Sequence, residues 1–230
     1  PETNIGMVGH VAHGKTTLTL ALTGKLTLTH SEELKRGITI RLGYADATIY
    51  KDSNGHYFTN SRTCPACFAE GSVQRTVSFI DVPGHETLMA TVLTGARLFD
   101  GALLVIDATQ KCPQPQTREH LTALDIVGIK NLIVVQNKLD LVSVERAKQS
   151  YQEIRNFLSG AGLENTPIIP VSAQKKVNID TLLAAIEEKI PTPKREEGAK
   201  VKMYVARSFD INKPGTPLQK LVGGVLGGAI

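Results

Sequence analysis

The sequence lacks the long apolar runs and the cysteine density that mark membrane and secreted proteins. No stretch of its 230 residues approaches the roughly 20 apolar residues that a membrane-spanning helix needs. No basic segment followed by an apolar region opens the sequence, so no secretory signal is predicted. Three cysteines are too few for a disulfide framework. We therefore expect a cytoplasmic protein with no membrane partner.

The composition sets bounds on the fold and says little about function. Hydrophobic residues make up 41% of the chain, which is adequate for a packed core. The length allows one large domain, or one domain plus part of another. The 26 lysines and arginines exceed the 22 acidic residues and give a net charge of +4. This charge suits a protein that meets RNA, but many ordinary enzymes are equally basic.

The segment Gly9–Thr16 has two glycines separated by four residues and followed by Lys-Thr. An apolar segment precedes it and a helical pattern follows it, so the predicted order is strand, loop and helix. In this order, loop N–H groups and the helix N-terminus bind phosphate oxygens. Lys15 is predicted to contact the β- and γ-phosphates, and the Thr16 hydroxyl to bind Mg²⁺. The alternative is a tight glycine turn with a surface lysine. The predicted nucleotide contacts are His10, Val11, Ala12, His13, Gly14, Lys15, Thr16 and Thr17.

Strand and helix patterns alternate through residues 1–194. Continuous apolar runs at 102–106 and 132–135 predict strands that are covered on both faces. Apolar residues at helical spacing separate the predicted strands. The alternation predicts the α/β class, with a doubly wound, mostly parallel sheet and helices on both faces. The segment 51–72, rich in glycine, asparagine, serine and cysteine, is predicted to be an inserted loop.

The chain changes character after residue 194. Residues 195–201 are densely charged and contain a glycine, which predicts a linker. Residues 203–209 are predicted to form a strand, and the glycine-interrupted run 222–230 a pair of strands. About 30 residues cannot bury a core of their own. We therefore expect residues 202–230 to be the incomplete first strands of a β-barrel domain.

Two motifs at strand ends predict which base the nucleotide carries. The segment Asn137–Asp140 follows a buried strand. An aspartate there can accept hydrogen bonds from the N1–H and amino groups of guanine, a pair of donors that adenine does not present. The segment Ser172–Gln174 follows a later strand, and its N–H groups are predicted to meet the guanine carbonyl. The alternative is two polar strand exits into turns. The predicted base-contacting residues are Asn137, Lys138, Asp140, Ser172, Ala173 and Gln174.

Two further segments predict a switch that responds to the γ-phosphate. Asp81 follows a buried strand and is predicted to hold Mg²⁺ through water, while the Gly84 N–H approaches the γ-phosphate. Thr39 lies in a polar stretch and is predicted to close on Mg²⁺ only when the third phosphate is present. The alternatives are a Pro-Gly turn and an ordinary solvated loop. The predicted cofactors are therefore GTP or GDP and Mg²⁺.

The chain resembles translational GTPases, and most closely the gamma subunits of archaeal and eukaryotic initiation factor 2. The resemblance rests on the motifs above and on segments 30–40, 112–120 and 207–215, and covers nearly the whole chain. It implies a heterotrimer with alpha and beta subunits. It also implies delivery of methionylated initiator tRNA to the small ribosomal subunit in the GTP state, with release after hydrolysis. In this family the position of His85 orients the attacking water.

One departure from the family lies inside the phosphate loop. Ala12 stands where the family normally carries an aspartate. Its predicted effect is retained nucleotide binding with slow hydrolysis, and the alternative is a substitution without consequence. Two other functions stay open. One is a GTPase like the selenocysteine-specific elongation factor, and the other is a hydrolysis-impaired GTP-binding scaffold.

The second departure lies in the predicted insertion. Archaeal members of the family usually carry two Cys-x-x-Cys pairs there, forming a zinc knuckle, and this chain has only Cys64 and Cys67. Two thiolates do not close a structural zinc site, which takes four ligands. Asp52 and His56 can complete one, although their spacing is not diagnostic. The alternative is a degenerate knuckle with two reduced thiols.

Overall fold

The computed structural model describes residues 1–27, 39, 42–85, 89–194, 203–212, 216–220 and 222–229. It divides into two compact units, Pro1–Pro193 and Lys194–Ile230. The predicted linker 195–201 lies outside the described residues, as do residues 30–38 and 40 of segment 30–40 and residues 213–215 of segment 207–215, which the family resemblance used. None of the helices that are described is long and apolar enough to cross a bilayer. The predicted domain boundaries stay a prediction.

The first unit alternates strands and helices. In chain order it contains β1 (Thr3–Val8), α1 (Lys15–Thr23), β2 (Gly43–Lys51), β3 (Tyr57–Thr59), β4 (Ser72–Asp81), α2 (Met89–Ala96), β5 (Gly101–Asp107), α3 (Pro115–Val127), β6 (Leu132–Asn137), α4 (Val144–Ser159), β7 (Ile168–Pro170) and α5 (Ile179–Lys189). A short 3-10 helix at Leu139–Leu141 follows β6. The strands form one 7-stranded sheet in the order β3-β2-β4-β1-β5-β6-β7.

The sheet is mostly parallel, as the alternation of elements predicts. The pairs β1–β4, β1–β5, β5–β6 and β6–β7 are parallel, and only β2 pairs antiparallel with β3 and β4. Pro170 is the last residue of the edge strand β7, a place where its missing N–H costs no ladder hydrogen bond. Each parallel strand ends at the same edge of the sheet. That edge therefore collects the loops that carry the sequence motifs.

Both faces of the central strands are buried, which explains their continuous apolar sequences. On one face, α1 and α5 cover a cluster that includes Ile5, Leu103 and Val135. On the other face, α2, α3 and α4 cover a cluster that includes Leu104 and Val134. Neighbouring residues of one strand thus enter different cores. A polar residue in the middle of these strands would be buried on either face, and in β5 and β6 the polar residues lie at the carboxyl end: Asp107, Gln136 and Asn137.

The predicted insertion at 51–72 is more regular than a loop. The strand β3 lies inside it and pairs with β2, and β4 begins at Ser72, the last residue of the predicted loop. A further bridge joins Thr63 to Glu70. The prediction of a simple loop was wrong because the segment is rich in turn-forming residues. These residues form the tight connections between short strands that pair with each other.

The second unit contains β8 (Tyr204–Phe209) and β9 (Val225–Ala229), with a 3-10 helix at Leu218–Lys220. The two strands pair antiparallel. The Asn212 side chain bonds both the N–H and the C=O of Val222, at 3.0 Å each, and so takes the place of a backbone partner. The prediction of two strands within 222–230 was wrong for the described part of that run, which holds one strand. Its partner is β8, which lies earlier in the chain.

Candidate functional site

The predicted phosphate, switch and base segments meet at the carboxyl edge of the sheet. The phosphate and switch segments line one cavity of about 330 Å³ together with Lys138, whereas Asn137, Asp140 and Ser172–Gln174 are not among its lining residues. Four segments that are distant in the sequence contribute to it: the loop after β1, Thr39, the loop after β4 and Lys138. The cavity is lined by Val11, Ala12, Gly14, Lys15, Thr16, Thr17, Thr39, Gly84, His85 and Lys138.

The two glycines of the phosphate loop are fixed by close contacts and by backbone conformation. Gly9 has a φ of 135°, and a Cβ atom there would lie 2.3 Å from the carbonyl oxygen of Val105. Gly14 has a φ of 92°, and a Cβ atom there would lie 2.4 Å from the Asn137 side chain. Any other residue would have to displace β5 or the base segment. The spacing of the glycines thus follows from where the loop touches its neighbours.

The side chain of Lys15, the residue that follows the glycine loop, folds back into that loop. Its ammonium donates to the carbonyl oxygens of Gly9 and His10, each at 2.9 Å. A Cβ atom on Gly84 would lie 2.5 Å from the Lys15 Nζ, so only glycine allows this approach. Burial lowers the pKa of Lys15 to about 8, against the charge of Asp81, which raises it. The lysine is a buried cation held by neutral carbonyls, an arrangement that favours binding of an anion.

Oxygen donors converge on Asp81. Its Oδ2 accepts hydrogen bonds from Thr16 at 2.6 Å and from Thr27 at 2.8 Å. The Thr39 hydroxyl lies 3.0 Å from that of Thr16. Among the described residues, the other carboxylate oxygen, Oδ1, is buried and has no hydrogen-bond partner. Burial raises the pKa of Asp81, although hydrogen bonds from Thr16 and Thr27 oppose the shift. Two hydroxyls beside an unpaired carboxylate oxygen are hard donors of the kind that Mg²⁺ prefers, so the residues fit the ion.

The base segments are tied to the phosphate loop by Asn137. Its side-chain amide donates to the carbonyl oxygen of His13 and accepts from the N–H of Ala173, both at 3.0 Å. The Asp140 carboxylate accepts a hydrogen bond from the Ser172 hydroxyl. Asp140 is an exposed residue. Gln174 is also exposed.

Two predicted nucleotide contacts have side chains that face the protein. His13 is fully buried, and its Nδ1–H donates to the carbonyl oxygen of Val105 at 3.0 Å. Burial lowers the pKa of His13 to about 4, so the ring is neutral at physiological pH. Neither His13 nor His10 is among the residues that line the cavity. His85, by contrast, is exposed and lines the cavity.

Sequence reasoning missed two residues that support this site. His120 of α3 accepts a hydrogen bond from the Gly9 N–H at its Nδ1, at 2.9 Å. Burial lowers the pKa of His120 to about 3, which keeps that nitrogen unprotonated and able to accept. Asp107 ends β5 and accepts a hydrogen bond from Lys138. Its sequence signal is a carboxylate directly after a continuous apolar strand, the same signal that identified Asp81.

Four potential metal ligands converge in the segment between β2 and β4. Asp52, His56, Cys64 and Cys67 place one ligand atom each within 4.8 Å of one another. The Asp52 Oδ2 lies 2.9 Å from the His56 Nδ1 and 3.0 Å from the Cys67 Sγ. Asp52 Oδ1 accepts from the backbone N–H groups of Asn54 and His56, which fixes the carboxylate. The structure thus joins the Cys-x-x-Cys pair to two side chains that lie before β3.

Comparison with known proteins identifies similar sequences and structures. Residues 1–192 match the family described as the elongation factor Tu GTP binding domain. A Methanococcus aeolicus protein described as translation initiation factor 2 subunit gamma is 61% identical over 232 residues, covering 100% of this chain and 57% of that protein. The Pyrococcus furiosus protein of the same description is 61% identical over 229 residues, covering 100% of this chain and 56% of that protein. The chain thus spans about half the length of the curated relatives that it matches.

Two solved structures are also similar. A bacterial selenocysteine-specific elongation factor has a TM-score of 0.74 and 31% identity, covering 98% of this chain and 34% of that chain. The elongation factor SelB of Methanococcus maripaludis, solved with the GTP analogue GppNHp, has a TM-score of 0.67 and 28% identity. That match covers 91% of this chain and 39% of the other. Sequence identity is thus about twice as high to the initiation factors as to the selenocysteine factors.

The buried Lys15 predicts a pH dependence of nucleotide binding. Below pH 8 the lysine is charged in the free and the bound protein, so its ionisation adds no pH dependence to the affinity for GDP. Above its pKa of about 8 the free lysine loses its proton, whereas phosphate oxygens restore the charged form. Binding then takes up a proton, and the affinity falls by up to about tenfold per pH unit.

Isothermal titration calorimetry at about pH 9, in two buffers of different ionisation enthalpy, measures this proton uptake. The matched control is Lys15→Arg, which keeps its charge and should take up no proton at this position. An affinity for GDP that falls equally with pH in both proteins would contradict the assignment to Lys15.

Proposed function

The chain belongs to the translational GTPases with an elongation factor Tu-type GTP binding domain, and on that premise we propose that it is the GTP-binding switch of a translation initiation factor 2 gamma subunit. Whole-chain identity of 61% to proteins of that description carries the proposal. The cavity at the sheet edge supports it, because the phosphate, switch and base segments line or adjoin one space.

Each segment has a distinct part in the proposed reaction. Lys15 and the loop N–H groups bind the β- and γ-phosphates, and the Gly84 N–H contacts the γ-phosphate. Thr16, Thr39 and, through water, Asp81 would hold Mg²⁺, which supplies charge neutralisation at the phosphate oxygens. His85 orients the attacking water. Since phosphoryl transfer needs little covalent help, positioning of these groups is the main contribution of the protein.

The switch follows from the contacts of Thr39. The Thr39 hydroxyl lies 3.0 Å from the Thr16 hydroxyl and 3.5 Å from the Asp81 carboxylate. The side chain of Thr39 alone therefore connects its segment to the proposed Mg²⁺ site. The γ-phosphate holds this threonine in place, and hydrolysis removes that contact. The state of the nucleotide is thereby transmitted to the polar segment that precedes β2.

In the proposed cellular role, the full-length protein joins alpha and beta subunits in the cytoplasm. It carries methionylated initiator tRNA to the small ribosomal subunit in the GTP state and releases it after hydrolysis. The competing function is that of a selenocysteine-specific elongation factor, which the two similar structures represent. The twofold difference in sequence identity favours the initiation factor. A scaffold that binds GTP without hydrolysing it is the third possibility.

The first test of this role measures tRNA selection by the full-length protein with its alpha subunit, loaded with a non-hydrolysable GTP analogue. Methionylated initiator tRNA is expected to bind at least about tenfold more tightly than elongator methionyl-tRNA, a difference of about 1.4 kcal/mol. Gel-shift titration measures both dissociation constants. Tighter binding of selenocysteinyl-tRNA would support the elongation factor and refute the initiation factor.

The second test concerns Ala12. Replacing Ala12 with aspartate is expected to raise the single-turnover rate of GTP hydrolysis at least about tenfold, because it restores a carboxylate beside the phosphates. The affinity for GDP should change little, since Lys15 and the loop N–H groups are unaltered. Ala161→Asp, which adds the same charge at an exposed position outside the cavity, is the matched control. Equal turnover in the Ala12→Asp protein and the unmodified chain would refute slow hydrolysis.

We also propose that Cys64 and Cys67 bind zinc together with Asp52 and His56. A tetrahedral zinc ion places adjacent ligand atoms about 3 to 4 Å apart. The separations of 2.9 Å, 3.0 Å and 4.0 Å among Asp52, His56 and Cys67 agree with this geometry. Backbone bonds between Cys64 and Ala69 and between Phe68 and Cys64 hold the thiols in one turn. The ion would join the turn before β3 to the turn before β4 and supply stability there.

Elemental analysis of the purified chain is expected to find about one zinc ion per molecule. His56→Ala and Asp52→Asn should each lower the zinc content, since each removes one of four ligands. Cys112→Ala removes a buried cysteine that lies outside the cluster and should leave the content unchanged. Replacement by cobalt should give the absorption of a tetrahedral thiolate complex. A zinc content near zero would support the degenerate knuckle instead.

A further inference from the structure

We propose that Asp107 is a positioning residue for guanine nucleotides, acting through the side chain of Lys138. The proposal rests on the proposed function, because it concerns the base subsite of the same cavity. No sequence motif contains Asp107. Its role follows from where β5 ends and from what its carboxylate contacts.

Asp107 is the last residue of β5 and pairs in register with Asn137, the last residue of β6. The parallel strands therefore place its side chain next to the segment that is predicted to bind the base. Only 1% of the side-chain surface of Asp107 is exposed. A carboxylate in such a place needs partners for both of its oxygens.

Both oxygens have partners, and each partner has a different role. Oδ1 accepts from the N–H and the hydroxyl of Thr109, at 2.8 Å and 2.7 Å. Oδ2 accepts from the ammonium of Lys138 at 2.7 Å. Thr109 thus fixes the orientation of the carboxylate, and the carboxylate fixes the end of the lysine. Burial opposes ionisation, but the bonds from Lys138 and Thr109 hold the pKa of Asp107 below its usual value.

Lys138 is held at both ends of its side chain. Its backbone has a φ of 64° at the exit of β6, and its ammonium is bound to Asp107. Lys138 also lines the cavity, and its alkyl stem spans the distance between these two fixed points. A free lysine side chain samples many rotamers, and a base that packs on it must restrict them. With both ends fixed, the stem offers the base a flat apolar surface that is already ordered.

The two members of the ion pair differ in their exposure to solvent. The Lys138 side chain is 30% exposed, whereas that of Asp107 is almost completely buried. The aspartate therefore has no direct access to the base, and its effect on binding must pass through the lysine. This distinguishes Asp107 from Asp140, which is exposed and is predicted to contact the base itself.

The experiment is a double-mutant cycle on GDP binding, with Asp107→Asn and Lys138→Met. Asparagine keeps the shape of the aspartate without its charge, and methionine keeps an apolar stem without the ammonium. Each single variant is expected to bind GDP about tenfold more weakly, mainly through faster dissociation, which stopped-flow fluorescence of a labelled GDP measures. The double variant is expected to be no weaker than either single variant, because both break the same interaction.

A purely structural role for Asp107 predicts a different result. The two effects would then multiply, giving about a hundredfold loss in the double variant, and the proposal would be refuted. Asp125→Asn, an exposed carboxylate on α3, is the control and should leave the affinity unchanged. Lys138→Met keeps the test decisive if Asp107→Asn does not fold, since an unchanged affinity in that variant also refutes the proposal. Absence of GDP binding by the unmodified chain would instead refute the proposed function.

Discussion

Parallel pairing of β1, β4, β5, β6 and β7 directs their carboxyl ends to one edge of the sheet, and the site is built along that edge. Three of these five strands end in a polar residue where they leave the core: Asp81, Asp107 and Asn137 are the last residues of β4, β5 and β6. Burial of both sheet faces forces this arrangement, because a strand interior has no solvated side. The cavity is therefore a consequence of strand register.

Two buried ionisable groups at the site, Lys15 and Asp81, lack full stabilisation of their charges by the protein. Burial lowers the pKa of Lys15 and raises that of Asp81, so both charged forms are disfavoured. Lys15 bonds carbonyl oxygens, and one Asp81 oxygen has no partner among the described residues. Phosphate oxygens and a divalent cation would relieve both conditions at once. Strongly shifted pKa values of this kind are typical of functional sites, where groups are arranged for a ligand and folding stability is reduced in return.

Local sequence patterns were sufficient to predict the parts of this protein that depend on short-range geometry. The buried strands and the motifs at their ends follow from residues that are neighbours in the chain, and the glycines at 9 and 14 are recognisable by their spacing, although their cause is contact with distant residues. Contacts between distant segments were not predictable. His120 meets Gly9 across 111 residues, and Asp107 meets Lys138 across 31. The spacing of the four potential metal ligands in the predicted insertion does not identify a metal site. Their side chains converge because β2, β3 and β4 pair with one another.

The backbone conformation at position 12 is imposed on the residue by the loop around it. Ala12 has a φ of 60°, in the left-handed region that alanine adopts reluctantly and that aspartate and asparagine adopt more readily. Alanine does not favour this conformation, so the surrounding contacts must impose it: Gly9 against Val105, Gly14 against Asn137, and Lys15 on the loop carbonyls. The loop therefore keeps a conformation that aspartate adopts more readily than the alanine it holds. On the proposed function, Ala12→Asp would add a carboxylate to this loop, while the contacts of Gly9, Gly14 and Lys15 that hold its conformation would remain.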